Sequence, residues 1–224
     1  RFMQVRYTFA RSHSETAGGS RCGWPFGIML CRMATLSHVS VEEYLRQERL
    51  TDGKNDYLDG EVIQFKAAKP AHARICLNIR VALQKGIADG PCSAFDSSLA
   101  VCIEWGRFIT HPDITVVCGE LQYLDDAGDV ITNPRLITEV LSPSTRNYDR
   151  GDKAYLYRTV ASLTEYVVIE QKPVGVEMYR RAATGGWHID PLVTDPNAII
   201  RLDSINVDLP VSEIYAGVGE LQAE

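Results

Sequence analysis

A chain of 224 residues suits one domain with a sizeable core, because domains commonly hold roughly 100 to 200 residues and longer single ones are ordinary. Its 45% apolar and 23% charged residues are those of a globular protein rather than a disordered one. With 23 basic and 29 acidic residues the net charge is -6, so a nucleic-acid partner would need a local positive groove set against a field that repels phosphate.

The amino-terminal part differs from the rest. Residues 1–32 hold Arg1, Arg6, Arg11, Arg21 and Arg32 against the acid Glu15, and include the polar stretch from Ser12 to Ser20. The expectation is a disordered extension, with Met33 opening a single domain over residues 33–224. Trp24 to Cys31 is too short for a membrane span and carries Pro25 and Gly27, so neither a spanning helix nor a signal peptide is expected.

From Ser40 the chain offers an N-cap followed by Glu42 and Glu43, which predicts a short helix to about Arg49. Tyr57 to Phe65 holds the turn signal Asp59-Gly60 and then alternates, as a hairpin strand does. A buried helix over residues 70–87 is expected from Pro70 at its start and from Ile75, Leu77, Ile79, Val81, Leu83 and Ile87. Strands are expected at 92–95, 98–105, 113–118 and 135–141, then a helix from Asp149, as its cap, to about Val160. An antiparallel pair, 165–170 and 175–181, precedes a hairpin-rich carboxyl end. This order predicts an α+β or mixed α/β domain.

The six cysteines form no C-x-x-C pair and no finger-type spacing with the five histidines, which argues against structural zinc. Cys76, Cys102 and Cys118 fall in apolar runs and read as reduced, buried thiols. A cytoplasmic home is the expectation that follows.

Glu139 is the most informative residue. Leu136-Ile137-Thr138-Glu139-Val140-Leu141 reads as a strand buried on both faces, where an unpaired carboxylate costs on the order of several kcal/mol. It needs a cation or several donors; a structural ion pair with a neighbouring helix is the plainer alternative. Asp113 opens the preceding predicted strand, although an Asp after Pro112 is usually only a turn or cap residue. Lys153 stands one turn after Asp149 and one before Tyr157, so the three share a helix face. The short loop after Leu141 can return that helix across the end of the Glu139 strand. Glu61 can bring a further carboxylate, or be an exposed hairpin residue. His72, in the first turn of its helix, is ordinarily solvent-facing. Two acids at neighbouring strand ends with one lysine suit a divalent cation and a phosphate, whereas no nucleophile elbow, Walker motif or dinucleotide fingerprint occurs.

Pro112-Asp113, Glu139-Val140-Leu141-Ser142-Pro143-Ser144-Thr145, Asp149, Lys153, Tyr157 and Glu165-Tyr166 together resemble the Uma family of endonucleases, a branch of the PD-(D/E)XK restriction-endonuclease-like superfamily. Asp59-Gly60-Glu61 and His72 match its amino-terminal half, and the likeness spans about Ser37 to Tyr215. It implies a central mixed β-sheet flanked by helices, with a β-hairpin region added at the carboxyl end. One position departs: the signature lysine two residues after the second acid is here Leu141, and the resemblance implies that Lys153 reaches the site from the next helix.

What the resemblance implies for function is a metal-dependent endonuclease acting on DNA. Asp113, Glu139 and the backbone carbonyl of Val140 would hold Mg2+ or Mn2+. Lys153 would orient the water or neutralise charge, Glu61 complete the outer shell, and His72 contact phosphate or water. Arg146, Arg150, Lys66, Lys69 and Arg74 are candidates for the positive groove. Oligomeric state stays open, a homodimer being one arrangement that nucleases of this fold use. The rival is a non-catalytic protein-binding module that retains the nuclease fold.

Overall fold

The computed structural model describes residues 38–51, 54–64, 68–104, 106–143 and 145–222. The expected extension at 1–32, Cys22, Cys31 and Lys66 lie outside the described residues. Helix α1 (Val41–Thr51) opens where Ser40 Oγ accepts the Glu43 N–H at 3.3 Å, with Glu42 and Glu43 in the positive first turn. Strands β1 (Asn55–Leu58) and β2 (Glu61–Gln64) pair antiparallel around Asp59 and Gly60. Both turn residues have positive φ, 47° and 91°, as a two-residue primed turn requires. A Cβ on Gly60 would meet the His38 ring at 2.4 Å. Gly60→Ala is therefore expected to lose about 1–3 kcal/mol in urea or thermal melts; unchanged stability would show that this turn does not hold the hairpin.

Helix α2 (Pro70–Gly86) buries Ala71, Ile75, Ile79 and Leu83, one stripe at helical spacing, whereas Leu77 and Val81, expected to be buried with them, are exposed because they fall off that stripe. It lies on a six-stranded sheet ordered β11-β10-β9-β8-β6-β3. The strands are β3 (Cys92–Asp96), β6 (Ile114–Cys118), β8 (Leu136–Val140), β9 (Glu165–Ile169), β10 (Val176–Arg181) and β11 (Trp187–Ile189). Strand β8 pairs antiparallel with β6 and parallel with β9, so the sheet is mixed. Leu136 and Val140 pack in the cluster under α2, whereas Ile137 and Leu141 pack in a second cluster with Ala154, Leu156 and Tyr157. By this alternation Glu139 faces the second layer.

That layer is a smaller sheet ordered β2-β1-β5-β4-β7, with β4 (Ala100–Glu104), β5 (Phe108–Thr110) and β7 (Val130–Ile131). Tyr57 packs with Tyr44 of α1, so its neighbour Asp56 turns to the opposite, inner face. A carboxyl-terminal hairpin, β12 (Ile199–Leu202) and β13 (Val207–Pro210), and α5 (Val211–Ile214) complete the core against α2. Glu165, buried at the start of β9, accepts bonds from Arg180 and Ser204 and ties this hairpin to the sheet.

Two expectations are corrected. The helix expected from a capping Asp149 begins earlier, as α3 (Arg146–Tyr148), a π turn (Asp149–Lys153) and α4 (Ala154–Tyr157). A turn in which Arg146 N–H donates to Ser142 O at 3.0 Å starts it, and Asp149 lies buried inside the helix rather than capping it. Cys118 is not a reduced thiol. It stands opposite Cys92 in the β3–β6 register and the two form a disulfide, while Cys76 and Cys102 are free. The argument from reduced thiols to a cytoplasmic home goes with it. Among the described residues no helix is long and apolar enough to cross a membrane.

Candidate active site

Glu139 is 5% exposed at the centre of the mixed sheet. Its Oε1 accepts from Lys153 Nζ at 2.8 Å and from Tyr157 OH at 2.7 Å, and its Oε2 accepts from Asp113 N–H at 3.3 Å. Burial pushes its carboxyl above the ordinary range; the Lys153 charge opposes the shift, and the charges of Asp113 and Asp149 add to it. One lysine does not fully compensate this group.

Asp113 precedes β6 and is half-buried beside Glu139. Its Oδ2 accepts from Val140 N–H at 2.8 Å and lies 3.2 Å from His72 Nε2. The His72 ring thus turns toward the sheet and not toward solvent. Burial disfavours its protonation, but the hydrogen bond to Asp113 and the fields of Asp113 and Glu139 outweigh this and raise its pKa. The Val140 backbone therefore orients Asp113 from one side and the imidazole from the other.

Lys153 is almost wholly buried on the π turn. Besides Glu139 it meets Asp56 Oδ2 at 3.6 Å and Asp149 Oδ1 at 4.0 Å. Burial works against its charge, yet the three carboxylates hold its pKa well above the usual value. Asp149 is itself raised, chiefly by burial, against the pull of Lys153. Asp56 is 1% exposed; its Oδ1 accepts from His111 N–H at 3.1 Å, and its Oδ2 has no hydrogen-bond partner among the described residues. Four carboxylates thus converge, and among the described residues Lys153 and His72 are the basic side chains that meet them within 4.0 Å. The formal charge stays negative even with the imidazole protonated, so the site can take further positive charge.

A cavity of about 630 Å³ opens over these groups, lined in part by Lys54, Lys69, His72, His111, Asp113, Glu139, Val140 and Lys153. It therefore brings Asp113, Glu139, Val140, Lys153 and His72 together. Glu61 is not among them: it is exposed on β2, opposite Leu58 in the hairpin register. The carboxylate that the hairpin sends inward is Asp56, one strand earlier. The expected positive groove is also reduced. Arg146 binds Glu170 at 2.6 Å, and Arg150 binds Glu170 at 2.9 Å and Glu177 at 3.6 Å, which leaves Lys54 and Lys69 of the cavity lining to face solvent. Asp56 is the residue that sequence reasoning missed. Its signal is the one used for Glu139, a carboxylate inside a strand, but a strand of four residues beside a turn hides it.

A family model described as "Putative restriction endonuclease" and named Uma2 matches residues 41–212. An uncharacterized protein of Synechocystis sp., sll1609, is 30% identical over 175 residues, which cover 78% of this chain and 98% of that protein. A second uncharacterized protein of the same organism, slr1290, is 30% identical over 185 residues, covering 83% of this chain and 95% of its own. Among solved structures, a crystal structure titled as a putative nuclease of DUF820 from Anabaena variabilis superposes with a TM-score of 0.66 at 17% identity, covering 80% of this chain and 99% of that one. At that identity it shows the shared fold. With the family model spanning α1 to α5 and two relatives matched over nearly their whole length, the chain belongs to the Uma2 family.

Proposed function

We propose that this protein is a divalent-metal-dependent endonuclease that hydrolyses DNA phosphodiester bonds at the cavity over Asp113, Glu139 and Lys153. The observation that carries this reading is the unmatched negative charge: Asp56, Glu139 and Asp149 converge on Lys153, Asp113 stands beside Glu139 against His72, and Glu139 and Asp149 have carboxyls raised by burial despite that lysine. Hard oxygen donors with surplus charge fit Mg2+ or Mn2+, and Asp113, Glu139 and the Val140 carbonyl are the residues that would hold the ion. When bound, such an ion lowers the pKa of a water and polarises a phosphate.

The chain's own groups do the rest. Lys153 fixes Glu139 and supplies positive charge where the attacked phosphate gains negative charge. It fills in space the role that Leu141, buried in an apolar cluster, does not fill in sequence. Tyr157 locks the second position on Glu139 Oε1, and His72 with Val140 N–H locks Asp113. Lys54 and Lys69 stand at the cavity to meet the phosphate backbone. Glu61 has no part in this arrangement.

The test is incubation of the full chain with supercoiled plasmid in EDTA, Mg2+ or Mn2+. Nicked and linear product is expected with Mg2+ or Mn2+ and none with EDTA. Intact plasmid under every ion would overturn the enzyme and favour the non-catalytic module.

A further inference from the structure

Three potential metal ligands meet beside the nuclease carboxylates in a combination that hard-ion chemistry does not use. His72 and Cys76 lie one turn apart on the same face of α2, with His72 Nδ1 3.5 Å from Cys76 Sγ. His72 Nε2 lies 3.2 Å from Asp113 Oδ2. One ligand atom from each of His72, Cys76 and Asp113 lies within 4.8 Å of the others. Zinc bonds of ~2.3 Å to sulfur and ~2.0 Å to nitrogen at a tetrahedral angle set the two donors ~3.5 Å apart. The helix already presents that spacing.

We propose that His72, Cys76 and Asp113 form a zinc site that competes with the catalytic ion for Asp113. A thiolate and an imidazole select Zn2+ over Mg2+ or Mn2+, which prefer oxygen and rank lower for such donors. On binding, the Cys76 thiol gives its proton to solvent, the thiolate and the unprotonated His72 Nδ1 bind the ion, and the Asp113 carboxylate turns to it from its contact with His72 Nε2. Three protein ligands leave a fourth position, open toward the cavity that His72 and Asp113 line. The finger-type spacing rejected from the sequence is irrelevant here, because the ligands come from one helix and one strand start. Binding at this site stands on its own geometry; its effect on cleavage rests on the nuclease reading. There, zinc withdraws Asp113 from the Mg2+ or Mn2+ site and switches cleavage off.

The test uses the full chain with Co2+ as a spectroscopic stand-in, then Zn2+. Co2+ is expected to give a thiolate-to-metal charge-transfer band in the near ultraviolet that Zn2+ abolishes. Cys76→Ser should remove the band, and His72→Ala should weaken zinc binding by more than about 100-fold, since losing only the outer-shell partner of a ligand already costs about 10- to 100-fold. Glu139→Gln should keep the band, since Glu139 belongs to the other ion. Zinc should also slow alkylation of Cys76 in the unmutated chain, read by mass spectrometry, which needs no variant to fold. Absence of the band, its survival in Cys76→Ser, or unprotected Cys76 overturns the zinc site. In cleavage assays micromolar zinc should stop the unmutated enzyme, and the ratio of rates with and without zinc should move toward one in Cys76→Ser. A cobalt band without cleavage under any ion leaves the zinc site standing and removes the nuclease; cleavage without a band does the reverse.

Discussion

Asp113→Asn and Glu139→Gln are each expected to lower metal-dependent plasmid cleavage about a thousandfold, ~4 kcal/mol of transition-state stabilisation. The amides keep the shapes of the side chains and most of their contacts. An amide oxygen at position 113 can still accept from Val140 N–H, and one at position 139 can still accept from Tyr157 and Lys153, so the fold should hold in thermal melts. What each substitution removes is one of the negative charges that the divalent ion would balance. Calorimetric titration with Mn2+ should show the same loss as binding. If either variant cuts within a few-fold of the unmutated chain, the ion is held elsewhere and the roles given to these two residues fail.

Lys153→Met is expected to damage stability as well as turnover. The methionine fills the buried space but leaves Asp56, Glu139 and Asp149 without their shared cation, and removing one partner from a buried charge cluster costs about 3–5 kcal/mol. For a chain of this size that is a large share of the whole folding free energy. Urea unfolding with the slope held constant measures it. Adding Mg2+ or Mn2+ should return more stability to this variant than to the unmutated chain, because a ligand that binds only the folded state stabilises it by mass action, and the variant's site is the more negative. A Lys153→Met protein as stable as the original in EDTA would show that the lysine is not needed to hold the acids together.

Glu139, Lys153 and the long helix were legible because each breaks or obeys a strong pattern. A carboxylate inside an apolar strand demands a partner, and the short loop after Leu141 limits where a partner can come from. Strands β5 and β7 left too few residues to alternate visibly, at three and two residues. Glu61 reads equally as a site carboxylate or an exposed hairpin residue because it follows the turn, but the turn sets the faces, and Asp56 is the residue that points inward beside Tyr57. Asp149 looks like a cap because Asp so often is one; its burial follows from Lys153 four residues on, across the π turn. The Cys92–Cys118 bond needed the β3–β6 register, which residue spacing alone does not carry.

The clustered carboxylates and their lysine come from four separate stretches of chain, around positions 56, 113, 139 and 153. The last of them to leave the ribosome is the lysine. A nascent polypeptide interrupted before it carries the acids without the cation that gathers them, and its parallel β8–β9 ladder has no partner strand yet. On the nuclease reading, a cell making this protein meets no cutting activity from unfinished copies.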